Sequence, residues 1–535
     1  MDEGAGANAG VSRGGGLHGI VWLALFAILL SGCASLPEQR SRPAEHAFEQ
    51  PGTTELGALA NSAAQRHPGK SGFYILDTGR QAFVQRAALI EAAERSIDAQ
   101  YYIWNSDVSG RYLARRLLLA ADRGVRVRLL LDDINVAGRD SVLATLDRHP
   151  NIQIRIYNPF AARAGLGKWL GFFTDFQRLN RRMHNKTFVA DAAFGIAGGR
   201  NIGDEYFDLH PQVNFRDRDM LAAGPVVRGM SANFDAYWNN AWSYSADQLA
   251  PELGSDAEID AQFAQARAHA GDTNGLGDLG GLGRAPAQSA AAGRAEIHQA
   301  LTQMTWAPAE LVYDPPAEDM HTGADRPRRT AQALRGLVES SRTEILIESA
   351  YFILGDDQFD GVKQLHERGV RVAALTNSLA SNDLTTNHAG YAKTRPAMLA
   401  HGLELHELRP DAAACTVWID RAGYCGTGAV SLHAKSVVFD RETLYVGSFN
   451  VNLRSIYLNG ETALIIHSPE LAQRVARDIE LAMAPENSWR VDRDAEGRMR
   501  WSAEVGNTWP HEPATGWWRR FKAGLFGLLP IEKYL

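Results

Sequence analysis

The sequence predicts an α/β protein built from one unit used twice, and three observations carry that prediction. The pentapeptide RGVRV occurs at residues 123–127 and again at 368–372, 245 positions later. The nonapeptides MHNKTFVAD (183–191) and LHAKSVVFD (432–440) place His, Lys and Asp at identical spacing, 249 positions apart. Around each copy, short apolar runs alternate with segments of helical period, the order of a sheet with crossover helices. Each half is therefore expected to be a mixed, mostly parallel sheet flanked by helices, with the halves related by a pseudo-twofold axis. At 535 residues the chain is long enough for two such cores. Its composition is globular, 45% hydrophobic and 22% charged, and its formal charge of −7 argues against a protein that coats nucleic acid.

Residues 20–30, IVWLALFAILL, form an eleven-residue apolar run followed by Ser31, Gly32 and Cys33. A spanning helix needs about 20 residues, whereas the core of a secretory signal is this short. Residues 1–32 are read as a signal peptide, and LSGC resembles the lipoprotein box in which the cysteine, here Cys33, is lipidated. A short buried helix with an incidental cysteine is the competing reading. Asp2 and Glu3 against Arg13 depart from the usual basic start, a departure that initiation downstream of Met1 would remove. No Asp follows Cys33, so the usual inner-membrane retention signal is missing. The expectation is a protein anchored by lipid in a Gram-negative bacterium and facing the periplasm, with inner and outer membrane both open. Residues 33–70 read as a flexible tether.

The first folded unit is expected over 71–263. Phe83, Ala87 and Ile90 fall on one helical face. SIDAQYYIW then reads as a strand, RYLARRLLLAAD as a helix and VRVRLLLDD as a strand. Residues 264–300 turn to Gly, Ala, Ser and Pro and read as a disordered linker. In the second unit, 301–486, Ala331, Leu334 and Val338 mark the matching helix. EILIESAYFI, FDGVKQLHER and VRVAALTNSL then repeat strand, helix and strand. Cys415 and Cys425 precede the second motif; a disulfide and two separate thiols are both compatible with their positions. In the tail, 487–535, Trp517, Trp518, Phe521, Leu525, Leu528 and Leu529 share one helical side near Arg519, Arg520 and Lys522. That pattern suits a membrane interface, and it also suits a helix docked on the protein's own core.

The β-branched and aromatic residues after each His-x-Lys place the motif on a strand, where i and i+2 share a face. His184 with Lys186, and His433 with Lys435, would then each present an imidazole beside an ammonium. Six residues separate Asp191 from GGRN (198–201) and Asp440 from GSFN (447–450). In these turns the glycines let backbone N–H groups approach an anion, with Gly199 and Ser448 the candidate phosphate-binding positions, and Asn201 or Asn450 adds a donor. Two His, two Lys and two Asn, with no cluster of metal-binding carboxylates, suit a phosphodiester. The lysines neutralise non-bridging oxygens, one histidine attacks phosphorus and the other protonates the departing oxygen. A lone histidine on an apolar strand is ordinarily a core residue. Two copies in register with a repeat replace that reading.

The paired motif resembles the phospholipase D superfamily, whose members carry two HxKxxxxD motifs, each with a following Gly-x-x-Asn. The resemblance spans about residues 71–486. It implies two tandem phospholipase D-type domains, no cofactor and a covalent phosphohistidine. By analogy the nucleophile is His184 and the general acid/base His433, although symmetry permits the reverse. Asp191 and Asp440 would brace the structure, and Asp217 and Glu461 would buttress the histidines, with Asp219 less favoured for that role. GGRNIGDEYF, RDRDMLAAGPVV and residues 387–410 resemble bacterial cardiolipin synthases, the C-type subgroup in particular, as does the tail ending LLPIEKYL. The implied activity is a phosphatidyltransferase using phosphatidylglycerol and a second phospholipid, phosphatidylethanolamine among them, at a membrane surface. Hydrolysis to phosphatidic acid is the same chemistry with water as acceptor. An inactive membrane-tethered scaffold and a periplasmic nuclease are the remaining alternatives. One complete site per chain makes a monomer sufficient.

Overall fold

The computed structural model describes residues 35–535 except 137, 164, 166–167, 169–170, 172–173, 251–252, 274–275, 277–285, 323, 504–506 and 530–531. The expected signal peptide and Cys33 lie outside the described residues. Among the described residues, no helix is long and apolar enough to cross a membrane.

The first half contributes strands β1 (Ser71–Leu76), β2 (Ser96–Tyr101), β3 (Arg126–Asp132), β4 (Ile152–Tyr157) and β5 (Thr187–Ala190). Five more follow: β6 (Phe194–Gly198), β7 (Val213–Arg216), β8 (Asp219–Ala223), β9 (Ser243–Ser245) and β10 (Thr305–Ala307). All but β7 join one sheet in the order β10-β1-β8-β6-β5-β2-β3-β4-β9. The second half supplies β11 (Ala309–Tyr313), β12 (Glu344–Ser349), β13 (Arg371–Asn377), β14 (Glu404–Leu408), β15 (Ala429–Leu432) and β16 (Lys435–Phe439). It continues with β17 (Thr443–Gly447), β18 (Thr462–His467), β19 (Ser488–Arg493), β20 (Met499–Ser502) and β21 (Thr508–Trp509). Its sheet runs β11-β18-β17-β16-β12-β13-β14-β19-β20-β21. The repeat read from the sequence is thus a repeat of topology.

The crossover segments behave as their patterns require. Helix Gly79–Ala92 starts at a capping box in which Thr78 and Gln81 satisfy each other's backbone N–H. Asp107 caps helix Val108–Asp122 by accepting from Gly110 N. Val108–Asp122 crosses from β2 to β3, and the strands joined by such crossovers, β2-β3-β4 and β12-β13-β14, are parallel. The expectation of a mostly parallel sheet holds only there. Beyond them β5, β6 and β8 pair antiparallel, because a tight turn such as the three residues 191–193 can only reverse the chain.

Three segment boundaries differ from expectation. The tether is not free between 35 and 70: Ala47 N bonds Asp235 and Gln39 bonds Ala241 O. Helix Glu55–Gln65 buries Leu56, Ala60 and Ala63. Their 4-and-3 spacing forms an apolar stripe that composition alone masks. The linker is helical at both ends, in Asp256–Ala268 and Ala290–Thr302. The second of these lies along Gly79–Ala92, where a Cβ on Gly293 would sit 2.6 Å from Ala88 O. Small residues allow that close approach rather than disorder. The halves meet at Pro308, between β10 on the first sheet and β11 on the second, not at residue 300. The tail's β19–β21 complete the second sheet.

Between the sheets lies a shared core of Phe73, Ile75, Val189 and Met220 with Leu346, Leu375, Val438 and Leu464, covered by helix Pro469–Met483. Parallel pairing of β7 with β15 ties the halves together, and it ends at Arg216 opposite Leu432.

Candidate active site

Each histidine stands immediately after that seam or its counterpart. His433 follows β15, and its N–H donates to Arg216 O at 2.8 Å. In the other half, Met183 bridges Gly460 in parallel, and His184 N donates to Gly460 O at 2.8 Å. The next residue on each opposing strand is an acid. Asp217 Oδ2 therefore lies 2.6 Å from His433 Nδ1, and Glu461 Oε2 lies 2.8 Å from His184 Nδ1. The carboxylates are crossed: each half supplies the partner for the other half's histidine. Such reciprocity is what a twofold relation between the units requires.

The motif geometry differs slightly from a pure strand. β5 begins only at Thr187, because the His184 N–H is bonded across the seam rather than within its own sheet. The lysines still turn back toward their histidines. Lys186 Nζ donates to His184 O at 2.6 Å, and Lys435 Nζ donates to His433 O and lies 3.1 Å from His433 Nδ1. Asp191 and Asp440, at positive φ in the turns, accept the backbone N–H groups of residues 94–96 and 342–344. Each clamps its motif hairpin to the start of β2 or β12.

The four functional side chains are buried, and burial governs their protonation. His184 is pushed down to about 4, first by burial and also by the lysines, which together outweigh Glu461. His433 is pushed down to about 3 by burial and Lys435, against Asp217. Both are thereby held as neutral imidazoles near pH 7. With Nδ1 facing a carboxylate, the Nδ1–H tautomer is fixed and Nε2 carries the free lone pair. Burial lowers Lys186 to about 7 and Lys435 to about 8. Burial would raise both carboxyls, but His433 and Lys435 hold Asp217 below its ordinary value, and His184 and Lys186 do the same for Glu461. Each lysine acts on both histidines, so the two motifs converge on one charge-coupled centre.

The surrounding residues divide between positioning and availability. Ser448 donates its hydroxyl to Glu461, which also accepts from Ser455 Oγ at 2.8 Å and Asn459 Nδ2 at 3.2 Å. Gly199 is the equivalent position in the first half, where a Cβ would lie 2.1 Å from Asp217 Oδ1. Asn201 is engaged, accepting from Ile103 N and donating to Tyr206 Oη at 2.9 Å. Among the described residues Asn450 Oδ1 has no partner, which leaves that amide free to meet a ligand. Asp219 bonds Arg86 at 2.9 Å, away from either histidine.

Sequence reasoning missed the aromatic walls. Tyr102 meets His184 edge-on at 4.9 Å, and Tyr206 meets His433 at 5.0 Å. Tyr351, 249 residues after Tyr102, donates to Asp383, whose charge acts on Lys435. Extending the motif offset to these tyrosines would have found the pair. Arg454 was also missed: it joins Asn459, Asn180 and the Tyr534 carbonyl beside the site. The disulfide alternative holds for Cys415 and Cys425, whose Cα atoms are 5.8 Å apart. Among the described residues no group of three or more His, Cys, Asp or Glu could hold a metal.

Two imidazoles fixed by crossed carboxylates, with two ammonium groups between the halves, define a double-histidine phosphoryl-transfer enzyme. Comparison with known proteins places it more closely. Residues 87–238 and 334–482 match the family described as cardiolipin synthase, PLD-like domain, and the chain belongs to that family. It is 38% identical over 484 residues to cardiolipin synthase C of Escherichia coli, covering 89% of this chain and 99% of that one. To the major cardiolipin synthase of Bacillus subtilis it is 24% identical over 402 residues, 75% of this chain and 66% of the other. The crystal structure of phosphatidylserine synthase from Haemophilus influenzae shares the fold, with a TM-score of 0.54 at 15% identity, over 89% of this chain and all of that one.

Proposed function

We propose that this protein is a phosphatidyltransferase that makes cardiolipin from phosphatidylglycerol and a second phospholipid. The observation that carries it is the crossed pair of His–carboxylate contacts in a chain matching a cardiolipin synthase along nearly its full length. His184 Nε2 attacks the donor phosphorus, and the P–O bond to the head-group oxygen breaks. That oxygen takes its proton from His433, leaving a phosphatidyl group on His184. A phosphatidylglycerol hydroxyl then gives its proton to His433, and its oxygen attacks phosphorus. The P–N bond breaks, His184 is restored and cardiolipin leaves.

His433 must carry a proton in the first step although burial and Lys435 favour its neutral form. The anionic phosphodiester supplies the compensation: placed beside Lys186 and Lys435, it offsets the positive charge that disfavours an imidazolium. Substrate binding thus brings the general acid to its working state. One chain holds both histidines and both carboxylates, so a monomer suffices. Lipidation at Cys33 would hold the enzyme beside its substrates, facing the periplasm.

The test is product analysis by mass spectrometry, with intact protein and His184→Ala given phosphatidylglycerol, with and without phosphatidylethanolamine. Cardiolipin from the intact protein alone is expected, and release of ethanolamine in the second mixture identifies phosphatidylethanolamine as donor. Phosphatidic acid as sole product would make the protein a hydrolase instead.

A further inference from the structure

Ten large hydrophobic side chains are exposed among the described residues, and six fall within thirteen positions of the tail. They are Trp517, Trp518, Phe521, Leu525, Leu528 and Leu529, between 47% and 79% exposed. Helix Trp517–Phe526 buries only Ala523. The docked-helix alternative therefore fails for its aromatic side, which faces outward. Residues 517–529 carry Arg519, Arg520 and Lys522 and no acid. An exposed apolar face of this size, flanked by cations alone, fits an anionic lipid surface and not a water-facing role.

Beneath the helix is a second feature. A cavity of about 670 Å³ lies between it, helix Thr385–Ala400 and the β20–β21 region, within the ~300–1,000 Å³ of small-ligand sites. Lys393, Arg498 and Arg520 line it, with Leu528 at its edge. Lys393 is paired with Glu532 and Arg498 with Asp494, whereas Arg520 has no ion pair among the described residues. His388 also lines the cavity; it is 1% exposed and bonds Glu512 through Nε2, and its Nδ1 has no partner. Glu512 lines the cavity too: its carboxylate takes the Nε2 proton of His388, which makes Nδ1 an acceptor, and its own Oε2 has no partner among the described residues. A free guanidinium beside two unpartnered acceptors marks a place for a head group that combines a phosphate with hydroxyl or ammonium donors.

The position matters as well. Arg519 donates to the carbonyls of Ala380 and Asn382, immediately before Asp383, the residue that binds Tyr351 and acts on Lys435. The chain end closes the other side: Asn452 donates to the Leu535 carbonyl at 2.8 Å. The helix is thus held against the segments that border the histidines.

We propose that the C-terminal helix lies in the interface of an anionic bilayer, with the cavity beneath it taking the head group of one phospholipid of that bilayer, at a site separate from the two histidines. This rests on the reading of the protein as an enzyme of membrane lipids. Its role is to seat the mouth of the catalytic site against the surface from which substrate comes.

The test is vesicle binding by the full chain carrying Cys33→Ser and His184→Ala, so that neither lipidation nor turnover contributes. Vesicles are phosphatidylcholine alone or phosphatidylcholine with phosphatidylglycerol, and the readout is the ratio of the two affinities. Arg520→Glu is expected to lower that ratio roughly fivefold or more, and Arg520→Lys to keep it. Trp518→Ser with Phe521→Ser should weaken binding to both vesicles about tenfold or more. Arg335→Glu, at a distant exposed site, should leave the ratio within about twofold. Thermal melts like the parent's confirm that the variants fold. An unchanged ratio in Arg520→Glu, or an equal drop in Arg335→Glu, overturns the proposal. So does a Trp518/Phe521 variant that binds vesicles normally but turns a dimer into a monomer, because the face would then belong to a second copy. Failure of the intact enzyme to make cardiolipin from short-chain dispersed lipid would refute the functional reading while these binding ratios remain decisive for docking.

Discussion

Replacing Gly199 with alanine should disable His433 without touching it. The added Cβ would lie 2.1 Å from Asp217 Oδ1 and 2.9 Å from its Cγ, so the carboxylate must retreat until the contact reaches at least 3.0 Å. Its bond to His433 Nδ1 starts at 2.6 Å; moved by about 1 Å it leaves the range of a good hydrogen bond. Loss of this charge-assisted bond removes about 1.5–3 kcal/mol of orientation and tautomer control. Misplacement of a catalytic group by about 1 Å costs on the order of 100-fold in rate. The expected result is kcat for cardiolipin formation down by roughly 100-fold with KM within about threefold, because the lysines keep their places. The assay is initial-rate product quantification, with a thermal melt to confirm folding. A folded Gly199→Ala protein with kcat within about threefold of the parent would refute the argument that Asp217 holds His433 in its working state.

Rapid acid quench during turnover should trap a phosphatidyl group on the His184 peptide, and peptide mass spectrometry locates it; a label on His433 instead would reverse the two roles. KM should rise as pH increases through about 7 to 8, because Lys186 (about 7) and Lys435 (about 8) lose their protons while the phosphodiester stays anionic. The limiting slope is about tenfold per pH unit for each lysine, and a KM flat from pH 6 to 9 would remove the lysines from phosphate binding. Cys415→Ser with Cys425→Ser opens a loop with a sequence separation of 10 and should lower stability by about 2.5–3 kcal/mol in denaturant melts. Trp418, inside that loop, stacks on Arg216 at the seam (4.8 Å from guanidinium to ring), so kcat should fall too; an unchanged midpoint would sink this account.

The fold was legible where local pattern and repetition coincide. RGVRV marks the entry to β3 and β13, and the helix before each is capped or patterned by nearby residues, so short-range chemistry suffices to find it. It was not legible where a segment is stabilised only by what it packs on. The helix at Ala290–Thr302 reads as low complexity because its small residues gain meaning only against Gly79–Ala92. Likewise Thr305–Ala307 is a strand only because β1 offers an open edge.

The site divides in the same way. From the sequence alone came the two His-x-Lys motifs with their Asp and Asn companions, since those identities and spacings are written twice, while both acids came from the resemblance, because Asp217 and Glu461 share neither identity nor spacing from their motifs. Which acid serves which histidine was decided by tertiary structure. Asp217 stands near His184 in sequence yet bonds His433, 216 residues away, while Glu461 bonds His184 across 277. The physical reason is the seam. Parallel pairing of β7 with β15, and of Met183 with Gly460, fixes the register between halves, and the residue after each pairing is delivered to the opposite motif. Backbone hydrogen bonds between distant segments leave no periodicity in the chain, so a register of that kind is visible only once the halves have met.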